Sequence, residues 1–251
     1  MLHASADTTG RHDVVAVILA AGLGKRFPAD RPKVLIPFRG RPLVHWVTDA
    51  VVTAGIARIL LVIGHRGEMM EEAYAGRPVE FVWQHKRLGT GHAVLQTEPL
   101  LHDHAGRILV LLGDAPCIKS TTITGLLDSH ARAGAAATIL TAEVDDPFGY
   151  GRIVRAADGT VDRVVEHRDA DELTRQVHEI NSGAICFRAE LLFPALHRLS
   201  NANDQGEYYL TDAIRILRTD GHKVAAFRAT DPREVLGINS PEELAALERA
   251  S

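Results

Sequence analysis

The chain of 251 residues has only two cysteines, Cys117 and Cys186, far apart and in no CxxC pair. That excludes a disulfide framework and a cysteine-based zinc site. The expectation is two reduced thiols in a cytoplasmic protein. Long apolar runs are missing too: VVAVILAA and RILLVIG are far too short to cross a bilayer, so no membrane association is expected. Charge of one sign is not in excess. A formal net charge of -4 gives no global case for binding nucleic acid or a membrane surface. No internal repeat and no low-complexity segment is present. The thirteen histidines are scattered and form no HExxH, and no GxSxG elbow points to covalent catalysis. The opening MLHASADTTGRHD is polar and lacks an apolar core, so residues 1–13 are expected to be a loose leader rather than a secretory signal.

What is there is alternation. Val14–Ala20 is a continuous β-branched run, as a strand covered on both faces would be. Residues 42–54 carry apolar side chains at helical spacing, and Gly55 stops them. Strands follow at 58–63, 79–83 and 107–112, with helices at 68–75, 91–101 and 120–133. Strands alternating with helices imply right-handed βαβ units and a mainly parallel sheet. The second half changes style. Strands are expected at 136–144, 152–155, 161–166 and 179–187, broken by turns such as DDPFGYG. Helices are expected at 189–199 and 208–218, and a late strand at 224–228. Ser240, Pro241 and Glu243 read as N-cap, N1 and the closing residue of a capping box. One α/β domain spanning 14–251, with a β-rich lobe, is the expectation.

In such sheets ligands bind outside the carboxyl ends of the strands, and the unusual loops sit there. After the first strand comes LAAGLGKRFPADRPKVL. Its glycines let backbone N–H groups approach phosphate oxygens, and Lys25, Arg26 and Lys33 can balance the charge, although the loop is neither a Walker A motif nor GxGxxG. After the third comes Gln84, whose amide offers a donor and an acceptor to a base edge, and then the GTGHA turn with Gly89 and Thr90. After the fourth comes Asp114, a carboxylate suited to Mg²⁺, to which Asn239 of LGIN could add an oxygen. Taken singly, each of these also reads as an ordinary turn or surface residue.

Together, LAAGxGxR…PKVL, QxxxLGTGHA, GDxP, GYGRIVR, VExxDA, EINSG, NDQGEYYLTD and GIN resemble, in order and spacing, the nucleotidyltransferase half of the bifunctional N-acetylglucosamine-1-phosphate uridylyltransferase family. The resemblance runs over about residues 14 to 250. It implies a Rossmann-like, GT-A-type nucleotidyltransferase fold with a nucleotide-binding half (14–135), a sugar-binding half (136–239) and a C-terminal helix (240–250). It implies that Ala20, Ala21, Gly22, Gly24 and Lys25 hold the nucleotide, with Arg26 facing the triphosphate and Lys33 the reacting phosphates. Gln84, Gly89 and Thr90 would recognise uracil, Asp114 and Asn239 would hold Mg²⁺, and Gly151, Glu166 and Asn181 would line the sugar side. Residues 207–212 would shape that same pocket.

The implied reaction is UTP plus N-acetylglucosamine 1-phosphate giving UDP-N-acetylglucosamine and pyrophosphate. The chain departs from the family pattern at Lys25, where threonine is frequent, and at Leu112, where tyrosine occurs. No hexapeptide repeats of an acetyltransferase β-helix follow, so acetyl transfer is not expected, and a monomer or homodimer is. Alternatives that keep most of these residues are the same chemistry on another sugar 1-phosphate or NTP, a non-catalytic nucleotide-sugar-binding regulator, and a phosphosugar-binding scaffold.

Overall fold

The computed structural model describes residues 11–24, 26–27 and 30–249. Lys25, and residues 1–10 of the expected leader, lie outside the described residues. The chain opens with strand β1 (Val14–Leu19), followed by a single 3₁₀ turn at Lys33–Leu35. A two-residue-per-strand hairpin, β2 (Pro37–Phe38) and β3 (Arg41–Pro42), leads into helix α1 (Leu43–Thr53). Then come β4 (Arg58–Ile63), α2 (Gly67–Ala73), β5 (Glu80–Trp83), α3 (Thr90–Leu95), α4 (Glu98–Leu101), β6 (Arg107–Leu112) and α5 (Ser120–Ala133). The second half contains β7 (Ala137–Glu143), β8 (Arg152–Arg155), β9 (Val161–Val165), α6 (Glu172–Arg175) and β10 (Glu179–Arg188). It ends with α7 (Ala189–Leu196), α8 (Asp212–Thr219), β11 (Val224–Arg228) and α9 (Pro241–Arg249).

The main sheet runs β11-β7-β10-β6-β1-β4-β5, with β8 and β9 attached beside β10. β1 pairs in parallel with β4 and β6, β4 with β5, and β11 with β7, so β10 alone on this path runs the other way. This is the mainly parallel α/β architecture that alternation predicted. β1 sits at the centre and is buried on both faces, which is why its sequence is apolar at every position rather than at every second one. Val15 and Val17 face α3, α7 and α8, while Val14, Ala16 and Ile18 face α1, α2 and α5.

Three expected helices differ. Residues 91–101 form two short helices, because Pro99 has no N–H to give and restricts the residue before it, so the chain restarts at Glu98. The helix expected from Tyr208 begins only at Asp212. Tyr208 donates its N–H to Leu88 O at 2.7 Å and accepts from Gly91 N–H at 2.8 Å, so its backbone is committed across the fold. The helix expected to reach Leu199 ends at Leu196. The cap of α9 is also offset. Ser240 Oγ accepts from Glu243 N–H at 3.2 Å, but the Glu243 carboxylate accepts from Asn239 N–H at 2.6 Å, one residue before the cap.

Candidate active site

The carboxyl ends of β1 and β6 and the inner face of the β-rich lobe enclose a cavity of about 220 Å³. Leu19 and Leu112 form its sheet-side wall. Asp114, Gly237 and Asn239 lie on another side, and Tyr150, Gly151, Glu166 and Asn181 on the lobe side. Thr90 and Thr211 complete it.

The 3₁₀ turn after the first loop delivers Lys33. Its ammonium donates to Asp114 Oδ2 and, at 3.0 Å, to Asn239 Oδ1. The fold builds this contact from three distant segments. Gly24 has φ +57°, and a Cβ there would come within 2.6 Å of the Lys33 Cβ, so the second glycine of the loop makes room for the lysine stem. Asp114 O accepts from Ile238 N–H at 2.9 Å, which ties the loop after β6 to the segment carrying Asn239. The Asn239 amide nitrogen turns back onto Gly237 O at 3.3 Å, leaving its oxygen forward.

This pair of oxygens fits a divalent cation. Asp114 Oδ1 is buried with no hydrogen-bond partner. An orphaned carboxylate oxygen beside a forward amide oxygen is a hard donor set, already occupied on one side by a positive charge. Mg²⁺ takes few protein oxygens and completes its shell with water and phosphate. Among the described residues no group of three or more acidic, histidine or cysteine side chains could hold a metal by itself, so the remaining ligands would come from substrate and water.

On the lobe side, β10 bulges between Asn181 and Ile185, around Gly183 at φ +81°. The bulge interrupts the ladder and re-aims side chains. Asn181 Oδ1 accepts from Gly183 N–H at 3.0 Å, and Ser182 Oγ donates to Leu140 O at 2.6 Å, so NSG stabilises its own kink. Gly151 packs against this strand, with Asn181 N–H donating to Gly151 O at 2.8 Å. A Cβ on Gly151 would stand 3.4 Å from Glu166 Oε2 and 3.1 Å from a Val164 methyl, so the glycine leaves that carboxylate accessible. Glu166 accepts from the Thr211 hydroxyl at 2.8 Å. Burial raises the Glu166 carboxyl above its ordinary value, and Asp169, Asp212 and Glu207 push the same way. Burial also lifts the Tyr150 phenol to about 12, so it stays a neutral donor.

The other predicted residues, Thr90 apart, stand outside the cavity wall. Ala20 and Ala21 are buried, and Ala20 N–H donates to Val62 O at 2.8 Å as a continuation of the sheet. Gly22 is exposed, with nothing within 4 Å of where a Cβ would sit, and Arg26 is exposed. Gln84 is buried, and its amide nitrogen donates to Gly89 O at 3.0 Å. Gly89, at φ +106°, approaches the 208–210 segment so closely that a Cβ would meet Tyr208 O at 2.5 Å. Thr90 Oγ1 accepts from Leu210 N–H at 3.0 Å. Thus residues 88–91 are clasped to 208–210. Thr211, whose hydroxyl orients Glu166, falls within the 207–212 segment picked out by resemblance. His92, beside Gln84, had only its place in GTGHA as a signal.

Residues 16–224 match the model of the MobA-like NTP transferase domain. The chain belongs to this family of nucleotidyltransferases. It is 44% identical over 234 residues to the bifunctional protein GlmU of Geobacter metallireducens, covering 93% of this chain and 49% of that one. It is 47% identical over 232 residues to the bifunctional protein GlmU of Acetivibrio thermocellus, covering 92% and 50%. The chain therefore spans about half the length of these curated relatives. A solved structure of UDP-glucose pyrophosphorylase complexed with UDP-glucose superposes with a TM-score of 0.76 at 19% identity, covering 94% of this chain and 97% of that one. That likeness shows a shared GT-A-like nucleotidyltransferase fold. In this nucleotidyltransferase, Asp114 and Asn239 reach the same cavity as Gly151, Glu166 and Asn181.

Proposed function

We propose that this nucleotidyltransferase couples UTP to N-acetylglucosamine 1-phosphate, with Mg²⁺, releasing pyrophosphate. The observation that carries the reading is the cation-centred cluster of Lys33, Asp114 and Asn239, opening onto the cavity that Glu166 and Asn181 line. At about 220 Å³ the cavity is smaller than the roughly 300–1,000 Å³ of whole-ligand sites, which suits the sugar portion alone. The likeness to the GlmU proteins and the retained motifs support the uridine and N-acetylhexosamine assignments.

The sugar phosphate is already an anionic nucleophile near neutral pH, so no general base is required. One of its phosphate oxygens attacks the α-phosphorus of UTP in line. A new P–O bond forms there while the bond to the leaving pyrophosphate breaks. Lys33 stabilises negative charge at the reacting phosphates, and Arg26, with Lys25, favours the departing pyrophosphate. Ala21, Gly22 and Gly24 present backbone to the triphosphate, Ala20 anchors the loop to the sheet through its N–H to Val62 O, and Gln84, Gly89 and Thr90 read the base. Asp114 and Asn239 would hold Mg²⁺, which when bound would supply Lewis-acid neutralisation of phosphate charge. Gly151, Glu166 and Asn181 position the sugar. The protein works in the cytoplasm as a monomer or homodimer.

The test is product analysis by mass spectrometry after incubation with Mg²⁺, UTP and N-acetylglucosamine 1-phosphate, beside the other NTPs and glucose, galactosamine and glucosamine 1-phosphates. UDP-N-acetylglucosamine should form fastest. Turnover confined to another pairing would keep the chemistry and overturn the substrates.

A further inference from the structure

Gln84 follows β5, is 4% exposed, and has two hydrogens on its amide nitrogen to place. One goes to Gly89 O at 3.0 Å; the nitrogen also lies 3.0 Å from His92 Nδ1. A backbone carbonyl only accepts, so Gly89 O decides which end of the amide is nitrogen. The second hydrogen then needs an acceptor at His92 Nδ1, which only the neutral ring protonated at Nε2 supplies. Burial, reinforced by the charge of Lys86, holds His92 below its ordinary value and favours that neutral ring. The Gln96 amide nitrogen stands 3.3 Å from His92 Nε2 while donating to His92 O at 3.1 Å. That contact is longer and Gln96 is half-buried, so it gives way, and the closer contact to buried Gln84 sets the tautomer. No described donor is bonded to Gln84 Oε1.

We infer that His92 is a positioning residue for base selectivity: with Gly89 O, its Nδ1 locks Gln84 so that the amide oxygen, and not the nitrogen, is presented to the base. This rests on the reading of Gln84 as the base reader given above. The oxygen accepts from the N3–H of uracil. Cytosine carries a lone pair at N3, so it meets that oxygen acceptor to acceptor. To read cytosine, Gln84 must turn its amide over. That would set its oxygen against Gly89 O and leave that carbonyl unsatisfied in a buried place, and it would require the His92 proton to move from Nε2 to Nδ1. Uridine selectivity therefore lies in the support of Gln84 as much as in Gln84 itself.

The experiment compares Kd for UTP and CTP, with Mg²⁺, in the wild-type chain and in His92→Leu, His92→Phe and His92→Asn. Removing the acceptor with leucine or phenylalanine should cut the UTP-over-CTP preference about tenfold, chiefly by improving CTP binding. Asparagine, whose side-chain oxygen can stand in for Nδ1, should keep the preference. Equal weakening of both nucleotides in the leucine and phenylalanine variants, with the ratio kept, would show a merely structural role and overturn the inference. So would an asparagine variant as unselective as leucine. A leucine variant without a melting transition passes the test to phenylalanine, which fills more of the space. A wild-type chain that does not prefer UTP to CTP would instead remove the uridine reading, and the inference with it.

Discussion

At the scale of single residues, charges are concentrated where chemistry is expected and neutralised elsewhere. Lys33 is 11% exposed in its side chain and is held by Asp114 and Asn239, so these three act as one unit. Asp114→Ala should lower pyrophosphate release on the order of a thousandfold while circular dichroism stays unchanged. Wild-type turnover in Mg²⁺ would refute the role of Asp114. His130 illustrates the opposite case, a buried histidine serving stability. It is 3% exposed, its Nδ1 lies 2.9 Å from Thr138 Oγ1, and burial depresses its pKa to about 4 from 6.5. The folded state therefore binds fewer protons than the unfolded state between those values. Its stabilising contribution is full above pH 6.5 and is lost as pH falls through 4, a difference of about 3 kcal/mol. Melting curves should fall over that window in the wild type, and less steeply in His130→Leu.

At the scale of elements, the boundaries that matter for the site are the ones set by long-range contacts. α9 is a surface helix with no fully buried residue, yet its N-terminus fixes Asn239. Glu243 accepts from Asn239 N–H, and Ser240 Oγ accepts from Glu243 N–H, so the cap and the proposed metal ligand share one small network. Ser240→Ala should cost about 1 kcal/mol and should weaken Mg²⁺ binding measured by calorimetry. An unchanged Mg²⁺ affinity would separate the cap from the site. Elements bounded by local signals were legible in the sequence. Ser120–Ala133 ends at Gly134, which takes φ +55°, and Arg152–Arg155 is closed by a turn at Gly159, so both match their expected ranges. The start of α8 was not legible, because the bonds of Tyr208 to residues 88 and 91 are visible only once those segments meet. The β2–β3 hairpin was missed for a different reason: two residues per strand carry no periodicity.

At the scale of the whole molecule, one sheet joins the two halves. β10 reaches across from the second half to pair with β6 of the first, at Ile185 with Val110 through Arg188 with Arg107. The cavity lies across that seam, so its walls come from both halves. The nucleotide proposed for the first-half loops would stabilise the folded chain by binding it and not the unfolded one. Saturating UTP with Mg²⁺, at about 100 times its Kd, should add about 2.7 kcal/mol and raise the Tm by about 5–10 °C. A Tm that does not move would argue against nucleotide binding altogether.

The sequence by itself determined the alternation that builds a mainly parallel sheet, because apolar runs and turn residues report burial and chain reversal locally. It also pointed to Asp114, Asn239, Glu166 and Asn181 as residues to watch, through motif and order. Only the tertiary structure decided how they combine. Lys33 meets Asp114 and Asn239 across 81 and 206 positions of chain, and Gln84 turns its amide nitrogen inward to Gly89 O and His92. A hydrogen bond depends on distance and direction in space, and neither is written in the order of residues until the sheet has brought its loop ends together.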